Sequence, residues 1–300
     1  MKVHFAGMEN IDFGLTLHAA GVRYGLWSIF PYISNDFGVT NSAFTAWPEE
    51  LHNIFELFPG DRMIMDSGLF SLMFGSTSKK MTFDEDFMVR WTDRLIEFVL
   101  EVGYKGTVVE VDCQKTVSVE LAWKLRKRMF EKLPNQLMSV FHVEDGIGSG
   151  LKKMVDFSDY IAISVPEWRR LLKQGSLLQH IVGLVHEIRR LKSHIKIHLL
   201  GCTQKDLLKT CAGCTTCDST SWLQVNVFGT GRLLWGPERN HLSRKNIEVV
   251  AASYLPQMRE LQARYPKCLP EKRDMQYYAN YLCNAIHLRK HYSTLCGDQS

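Results

Sequence analysis

The sequence predicts a (β/α)8 barrel followed by a helical C-terminal extension. Short apolar runs alternate with longer helical stretches along the chain, which is typical of a parallel sheet covered by helices. No Gly-x-Gly-x-x-Gly follows the first run, which disfavours the doubly wound dinucleotide-binding sheet, the other fold with this alternation. The 300 residues contain no repeats and no linker rich in proline or glycine, which favours one compact domain.

Eight runs have the composition and length of buried strands. They are residues 2–6, 24–30, 62–68, 106–112, 136–143, 160–165, 196–201 and 215–222. Helical patterns separate most of them, at residues 48–58, 83–103, 118–133 and 151–157, in one long segment ending near Lys192, and at 204–211. The last fifty residues also look helical. We expect the barrel to occupy residues 1–240 and the extension residues 241–300.

Composition and the first residues indicate a cytoplasmic protein. The chain is 45% hydrophobic and 23% charged, as expected for a globular protein with a full core, and no apolar run reaches the length of about eighteen residues that a membrane span needs. Acidic residues occur early in the opening MKVHFAGMENIDF, where a signal peptide would be apolar. The eight cysteines are therefore expected to be free thiols or metal ligands rather than disulfides.

Polar residues recur at the predicted ends of the strands. These residues are Asp66, Asp112, His142, Ser164, His198 and Asp218. The carboxyl ends of barrel strands form the active-site face, so we expect these side chains to share one site. One polar residue at a strand end is common in any loop, whereas six on successive strands favour a functional site.

Several short segments carry a family resemblance. MDSGLF (65–70), HLLG (198–201) and CDSTSW (217–222) resemble motifs of the tRNA-guanine transglycosylases. HFAGMEN (4–10) and FHVEDG (141–146) are most similar to the phage branch of that superfamily, the DpdA-like enzymes that insert 7-deazaguanine bases into DNA. The resemblance runs with gaps from residue 1 to about residue 235. It implies a (β/α)8 barrel that exchanges guanine for a free 7-deazaguanine base, needs no cofactor for the chemistry, and protects phage DNA from restriction.

The resemblance implies catalytic roles for two aspartates. Asp218 matches the family nucleophile, which captures the sugar C1′ in a covalent glycosyl intermediate as retaining glycosidases do. Ser219, Thr220 and Ser221 are expected to supply hydroxyls that stabilise its ionised form. Asp66 matches the family's general acid and base. From the residues alone, a turn-capping role explains Asp218 equally well. The corresponding alternative for Asp66 is the N-cap of a helix.

A further set of residues matches positions that contact the base. They are Ser67, Gly68, Phe70, Asp112, His142, Ser164 and Gly201. A carboxylate accepts hydrogen bonds from both N1–H and N2–H2 of guanine, so Asp112 is expected to bind this edge of the base. Glu110 lies on the same predicted strand face, and it is either an alternative residue for this contact or a buried partner. His142 stands where the tRNA enzymes carry a glutamine, which leaves the donor to guanine O6 open, and a structural role for this histidine is the alternative. Phe70 either stacks on the base or packs in the core.

Two groups of cysteines are candidate metal ligands. Cys211, Cys214 and Cys217 precede the expected nucleophile, whereas the tRNA enzymes bind zinc with C-x-C-x-x-C and a histidine beyond it. A looser C-terminal group consists of Cys268, Cys283, His287, His291 and Cys296. We expect no metal at the active site and mainly packing roles for the first three cysteines, and we leave a structural zinc open.

Nucleic acid is the expected partner. The formal charge is +4, and basic residues cluster at 126–128, 169–170, 189–190 and 287–291, although solvated helix faces also explain such clusters. Arg169, Arg170 and Arg232 are the candidates for phosphate contacts to a DNA whose guanine is flipped out or single-stranded. Alternatives are a tRNA-guanine transglycosylase, a non-catalytic nucleic-acid-binding homologue, or an unrelated barrel enzyme acting on a small nucleoside.

Overall fold

Eight parallel strands close into a barrel in sequence order, and the last strand pairs with the first. The computed structural model describes residues 1–39, 48–74, 83–172, 176–223, 234–235, 240–241, 249–271 and 274–297. The barrel strands are β1 (Lys2–Ala6), β2 (Gly25–Ser28), β3 (Met63–Asp66), β4 (Thr107–Val109), β5 (Leu137–Phe141), β6 (Tyr160–Ser164), β7 (Lys196–Leu200) and β8 (Thr216–Ser219). The predicted fold and all eight predicted strands are confirmed.

Helices cover the outside of the barrel. They are α1 (Ile11–Ala19), α2 (Phe30–Ile33), α3 (Pro48–Leu57), α4 (Leu69–Phe74), α5 (Glu85–Glu101), α6 (Val119–Lys132), α7 (Ser149–Phe157), α8 (Val165–Leu171), α9 (Leu177–Leu191), α10 (Lys205–Thr210), α11 (Leu255–Arg264) and α12 (Met275–Cys296). Two short strands, β9 (Leu234–Trp235) and β10 (Asn240–His241), form an antiparallel pair. No helix within the described ranges has both the length and the apolar composition that crossing a bilayer requires.

Two features of the helical layer differ from the sequence-based expectation. The segment predicted as one helix ending near Lys192 forms two helices, α8 and α9, because Leu172 adopts an extended backbone that ends α8. The hydrophobic pattern also does not reveal α1 and α4. Six of the nine residues of α1 are buried, so this helix lacks the polar face that marks an amphipathic helix, and α4 has only six residues.

Alternation along the strands separates two cores. Inward-facing side chains fill the barrel interior with one apolar cluster, formed by Ala6, Leu26, Ile64, Val109, Met138, Val140, Tyr160 and Ala162. Outward-facing side chains join the larger core between the strands and the helices. Because side chains alternate with a period of two, Asp66, His142 and Ser164 follow Ile64, Val140 and Ala162 on the inward face, one step nearer the carboxyl ends. The apolar cluster therefore ends where the polar residues begin.

The C-terminal helix α12 packs on the barrel next to β8. The Asn284 side-chain amide donates to the Trp222 carbonyl oxygen at 2.7 Å, and the Trp222 indole donates to the Ala6 carbonyl oxygen at 2.7 Å. The Tyr278 hydroxyl donates to the buried carboxylate of Asp12 in α1. These contacts anchor the turn that directly follows Asp218. The predicted boundary at residue 240 falls among short described pieces and stays a prediction.

Candidate active site

A cavity of about 940 Å³ opens at the carboxyl ends of the strands. Apolar side chains of the barrel interior form its floor, among them Leu26, Val109 and Val140. Carboxyl groups from three separate strand ends line its wall, namely Asp66 at the end of β3, Asp112 beyond β4 and Asp218 on β8. The site thus combines an apolar floor with converging carboxyl groups, as enclosed binding sites in barrels commonly do.

Nine of the residues predicted to form the site line this cavity. They are Asp66, Phe70, Asp112, His142, Ser164, Arg169, Arg170, Gly201 and Asp218. Ser67 and Gly68 do not line it, and Arg232 lies outside the described residues. The prediction that residues from successive strand ends meet at one site is therefore correct for most of the set.

Asp66 is a carboxyl group that is hard to ionise. Burial raises its pKa to about 7, and the backbone N–H of Gly68, which donates to Oδ2 at 2.9 Å, opposes that rise only in part. The negative charges of Asp112, Asp218 and Glu9 raise the pKa further. A carboxyl with a pKa near neutral both donates and accepts a proton at that pH, which suits a general acid and base.

The residues after Asp66 shape the turn into α4. Ser67 is buried, and its carbonyl oxygen accepts from the Trp91 indole at 2.9 Å. Gly68 has a φ of +77°, and a Cβ there would lie 2.9 Å from the Cβ of Phe30, so glycine is required for packing. Ser67 and Gly68 thus have structural roles in this turn, and their predicted base contacts stay a prediction. Phe70 is 69% exposed and lines the cavity, so the alternative of a core phenylalanine is wrong.

Two nitrogen atoms lie within hydrogen-bond distance of one oxygen of Asp218. The backbone N–H of Gly201 lies 2.6 Å from Oδ1, and His198 Nε2 lies 3.1 Å from the same atom. Gly201 has a φ of +62°, and a Cβ there would lie 2.8 Å from Pro166 Cγ. The Gly201 N–H is thus engaged by the carboxylate rather than free for the base.

The neighbouring hydroxyls do not serve Asp218 as predicted. Ser219 Oγ lies 2.8 Å from Ser221 Oγ and 3.2 Å from Thr203 Oγ1, so these side chains bond to one another. Thr220 is exposed at the cavity wall. The donors to the carboxylate come from β7 and its following turn, which sequence proximity to Asp218 does not reveal.

His142 lies between two carboxylates. Its Nδ1 is 3.0 Å from Glu167 and its Nε2 is 2.9 Å from Asp112. Burial alone lowers its pKa, but the hydrogen bonds and charges of Asp112 and Glu167 raise the pKa to about 10, so the ring is an imidazolium at neutral pH. Both N–H groups are occupied, and the predicted possibility that His142 donates to guanine O6 is not available in this arrangement.

Glu167 is a site residue that the sequence-based reasoning missed. It is buried in the first turn of α8, lines the cavity, and lies three residues past Ser164 at the end of β6. An acidic residue just beyond a barrel strand is the signal that would have revealed it. Its partner His142 follows the neighbouring strand β5, so the pair depends on the pairing of β5 with β6.

Glu110 does not face the cavity. Its carboxylate forms a bidentate ion pair with Arg126 of α6 at 2.5 and 2.6 Å, and both side chains are buried. The Val140 N–H donates to the same carboxylate at 2.9 Å. Because β4 ends at Val109, the alternation that predicted a shared face for Glu110 and Asp112 does not continue that far. Glu110 is the buried partner, and Arg126 is not part of a solvated helix face.

His198 lies deeper than predicted. It is in the middle of β7, fully buried, one inward step below Leu200, and it does not line the cavity. Its Nδ1 is 2.7 Å from Thr216 Oγ1, and the Tyr160 hydroxyl forms a short hydrogen bond with the same oxygen. Neither Thr216 nor Tyr160 was among the expected site residues, although both have the strand phase that points inward.

One group in the described part of the chain has three potential metal ligands close together. Ligand atoms of His142, Glu144 and Glu167 lie within 4.8 Å of one another. Both nitrogens of His142 already pair with carboxylates, so this arrangement is an ion-pair cluster. Among the described residues, neither cysteine group brings three ligand atoms that close. All eight cysteines are free thiols, and the three that precede Asp218 are buried in the core.

Basic side chains stand at the rim of the acidic cavity. Lys115, Arg169 and Arg170 are exposed and line its opening. Arg169 and Arg170 lie in the last turn of α8, the helix that carries Glu167 in its first turn. A positive rim above a negative interior suits a ligand with phosphate groups outside and N–H donors inside.

Comparison with known proteins adds no family assignment. No protein-family model matches the chain, and no curated protein matches it in sequence.

Proposed function

We propose that the protein exchanges guanine in DNA for a free 7-deazaguanine base through a covalent intermediate on Asp218. One observation carries the proposal: of the four carboxyl groups that line one cavity, three have surroundings that differ in kind, namely those of Asp66, Asp112 and Asp218. Asp66 has a pKa near neutral, Asp218 accepts two N–H donors, and Asp112 pairs with an imidazolium. Base exchange needs a proton donor, a nucleophile and a reader of the purine edge, and these three groups match those roles.

The proposed reaction consists of two successive displacements at C1′. A carboxylate oxygen of Asp218 attacks C1′ while the bond from C1′ to the guanine nitrogen breaks, and its electron pair leaves with the base. Protonated Asp66 gives its proton to the departing guanine. The incoming base then loses a proton to Asp66, its nitrogen attacks C1′, and Asp218 leaves as a carboxylate. The two displacements conserve atoms and electrons without an oxidant, a metal ion or a nucleoside triphosphate.

Asp112 selects the base through the hydrogen bonds that its carboxylate accepts. Asp112 pairs with the charged His142, and its carboxylate oxygens accept hydrogen bonds from N–H donors. Guanine and 7-deazaguanines offer N1–H and N2–H2 on one edge, whereas adenine offers an acceptor at N1. The exposed ring of Phe70 at the cavity wall supplies a stacking surface for the same base.

The cavity rim supports a nucleic-acid substrate. A guanine inside a duplex cannot reach Asp218, so the nucleotide must be flipped out or single-stranded. Arg169, Arg170 and Lys115 at the opening then face the flanking phosphates. We propose DNA rather than tRNA as the substrate because HFAGMEN and FHVEDG resemble the DNA-modifying branch.

The test is trapping of the intermediate. Purified protein is mixed with guanine-containing single-stranded DNA, duplex DNA or tRNA, without an incoming base, and quenched in denaturant. We expect a denaturant-resistant DNA adduct, release of one guanine per adduct, and loss of the adduct when a 7-deazaguanine base is added. An adduct with tRNA alone would make the protein a tRNA enzyme. Adducts with neither, together with cleavage of free guanosine, would move the function to small nucleosides.

The rim is tested separately by salt dependence. Replacing Arg169 and Arg170 by alanine should weaken DNA binding and reduce the slope of log affinity against log salt by about 0.7 per lost phosphate contact. The matched control replaces Lys127 and Lys132, two exposed lysines of α6, because α6 makes no contribution to the cavity wall. Equal slopes for both double variants would remove the arginines from the phosphate contacts.

A further inference from the structure

A chain of buried hydrogen bonds runs through the barrel interior beneath Asp218. It joins the Tyr160 hydroxyl, Thr216 Oγ1 and the His198 ring, and ends at Asp218 Oδ1. Three neighbouring strands contribute to it, since β6 carries Tyr160, β7 carries His198 and β8 carries Thr216 and Asp218. His198 and Thr216 are direct neighbours in the pairing of β7 with β8, which holds their side chains together.

We infer that His198 is the positioning residue of Asp218: a neutral imidazole with its proton on Nε2, which aims Oδ2 of the carboxylate at the cavity. The inference rests on the proposed role of Asp218 as nucleophile. It goes beyond that role because it assigns a tautomer, a supporting chain and the attacking oxygen.

Proton counting selects the tautomer. The Asp218 carboxylate only accepts, so His198 Nε2 must carry the proton that it shares with Oδ1. Nδ1 of the neutral ring then accepts the hydroxyl proton of Thr216, and Thr216 Oγ1 accepts the hydroxyl proton of Tyr160. Each donor in this arrangement has one acceptor.

The charged form of His198 leaves a donor without an acceptor. With protons on both nitrogens, Nδ1–H, the Thr216 hydroxyl and the Tyr160 hydroxyl would be three donors sharing two contacts. Among the described residues, the hydroxyls of Thr216 and Tyr160 have no further hydrogen-bond partner, so one hydroxyl proton would be buried unpaired. A buried hydroxyl proton without an acceptor destabilises the folded protein, which favours the neutral chain.

The same geometry identifies the attacking oxygen. The Gly201 N–H and the His198 Nε2–H both point to Oδ1, and no donor within the described ranges reaches Oδ2. Oδ2 is therefore the atom that forms the bond to C1′. When the incoming base breaks that bond, the electron pair returns to the carboxylate, and the two N–H groups stabilise the restored anion without transferring a proton.

Nitrogen-15 NMR of the histidine rings tests the tautomer in the full-length protein without any substrate. We expect a His198 signal with a protonated Nε2 and an unprotonated Nδ1 near pH 7, identified by its loss in His198→Gln. In Thr216→Val, which removes the donor to Nδ1, this signal should shift. A wild-type signal from an imidazolium, or from a ring protonated on Nδ1, would overturn the inference.

Adduct formation tests the positioning role. His198→Leu removes the donor and should slow adduct formation by about a hundredfold, with DNA affinity unchanged. His198→Gln keeps an N–H donor at the end of its side chain and should recover most of the rate, so it serves as the control if the leucine variant does not fold. Adduct formation by His198→Leu at the wild-type rate would overturn the inference. If the wild type forms no adduct, the proposed function fails, while the NMR spectrum still decides the hydrogen-bond chain.

Discussion

Asp66 and Asp218 face the same cavity, but their carboxyl groups meet different surroundings. Asp66 accepts one backbone N–H at 2.9 Å, lies 3.5 Å from the Ser28 hydroxyl, and is near other carboxylates. Asp218 directs one oxygen to two N–H groups of β7 and its turn. The comparison teaches that one residue type meets two different environments at two strand ends, and that these environments suit the two different roles proposed for Asp66 and Asp218.

The origin of the donors differs as well. The N–H that reaches Asp66 belongs to Gly68 in its own turn, two residues along the chain. The donors to Asp218 belong to Gly201 and His198, which are 17 and 20 residues away. The hydrogen bond to Asp66 is therefore supplied by a local turn, whereas the hydrogen-bond partners of Asp218 depend on the pairing of two strands.

Removing the nucleophile should have the largest effect. In Asp218→Asn the shape is kept but no carboxylate attacks C1′, so we expect adduct formation and base exchange to fall by at least about 10⁴-fold with DNA binding retained. Quantitative denaturing gels and nucleoside mass spectrometry measure both. The matched control is Asp206→Asn, an exposed aspartate of α10. Exchange at the wild-type rate by Asp218→Asn would exclude Asp218 as nucleophile.

Removing the proton donor should have a smaller effect that depends on the leaving base. Asp66→Asn should slow adduct formation from guanine by about 10²–10⁴-fold, the range for lost general acid catalysis. N7-methylguanine already carries a positive charge and leaves without protonation, so adduct formation from it should be nearly normal in Asp66→Asn. Asp218→Asn should remain inactive with both bases. Equal defects of Asp66→Asn on both bases would contradict the assignment of Asp66 as the acid.

The pH dependence should follow Asp66. Its pKa of about 7 means that the protonated form declines above neutral pH, so adduct formation from guanine should fall about tenfold per pH unit beyond that point. Adduct formation from N7-methylguanine should not show this fall. Rapid-quench rates between pH 6 and pH 9 measure it. A guanine profile that persists unchanged in Asp66→Asn would assign the titration to another group.

The smallest effect should be on stability. The pKa of Asp66 is raised above its ordinary value of 3.8 to about 7, so its contribution is fully present below the lower value and is lost as the pH rises through the higher one. Between pH 5 and pH 7 the loss is up to about 3 kcal/mol, reduced by solvent at the cavity mouth. Asp66→Asn has no ionisable group at this position, so its stability does not fall in this way as the pH rises. Urea unfolding should therefore show Asp66→Asn gaining stability relative to the wild type from pH 5 to pH 8, and a constant difference would contradict the raised pKa.

Strand order and the convergence of most site residues were accessible from the sequence. Buried parallel strands are nearly continuous apolar runs, and side-chain alternation places Asp66, His142 and Ser164 on the inward face just beyond the last apolar layer. The same periodicity does not show the depth of a residue in the barrel. His198 has the inward phase, yet it lies one layer below the cavity.

The sequence by itself determined the fold class and which polar residues end the strands, because both follow from local patterns of two and about 3.6 residues. Only the tertiary structure decided the partners: His142 with Glu167, Arg126 with Glu110, and His198 with Asp218. Each pair joins side chains from different strands or helices that the packing of neighbouring elements brings within hydrogen-bond distance. Since burial and those partners set the charge of each group, the chemistry of the site is a property of the closed barrel.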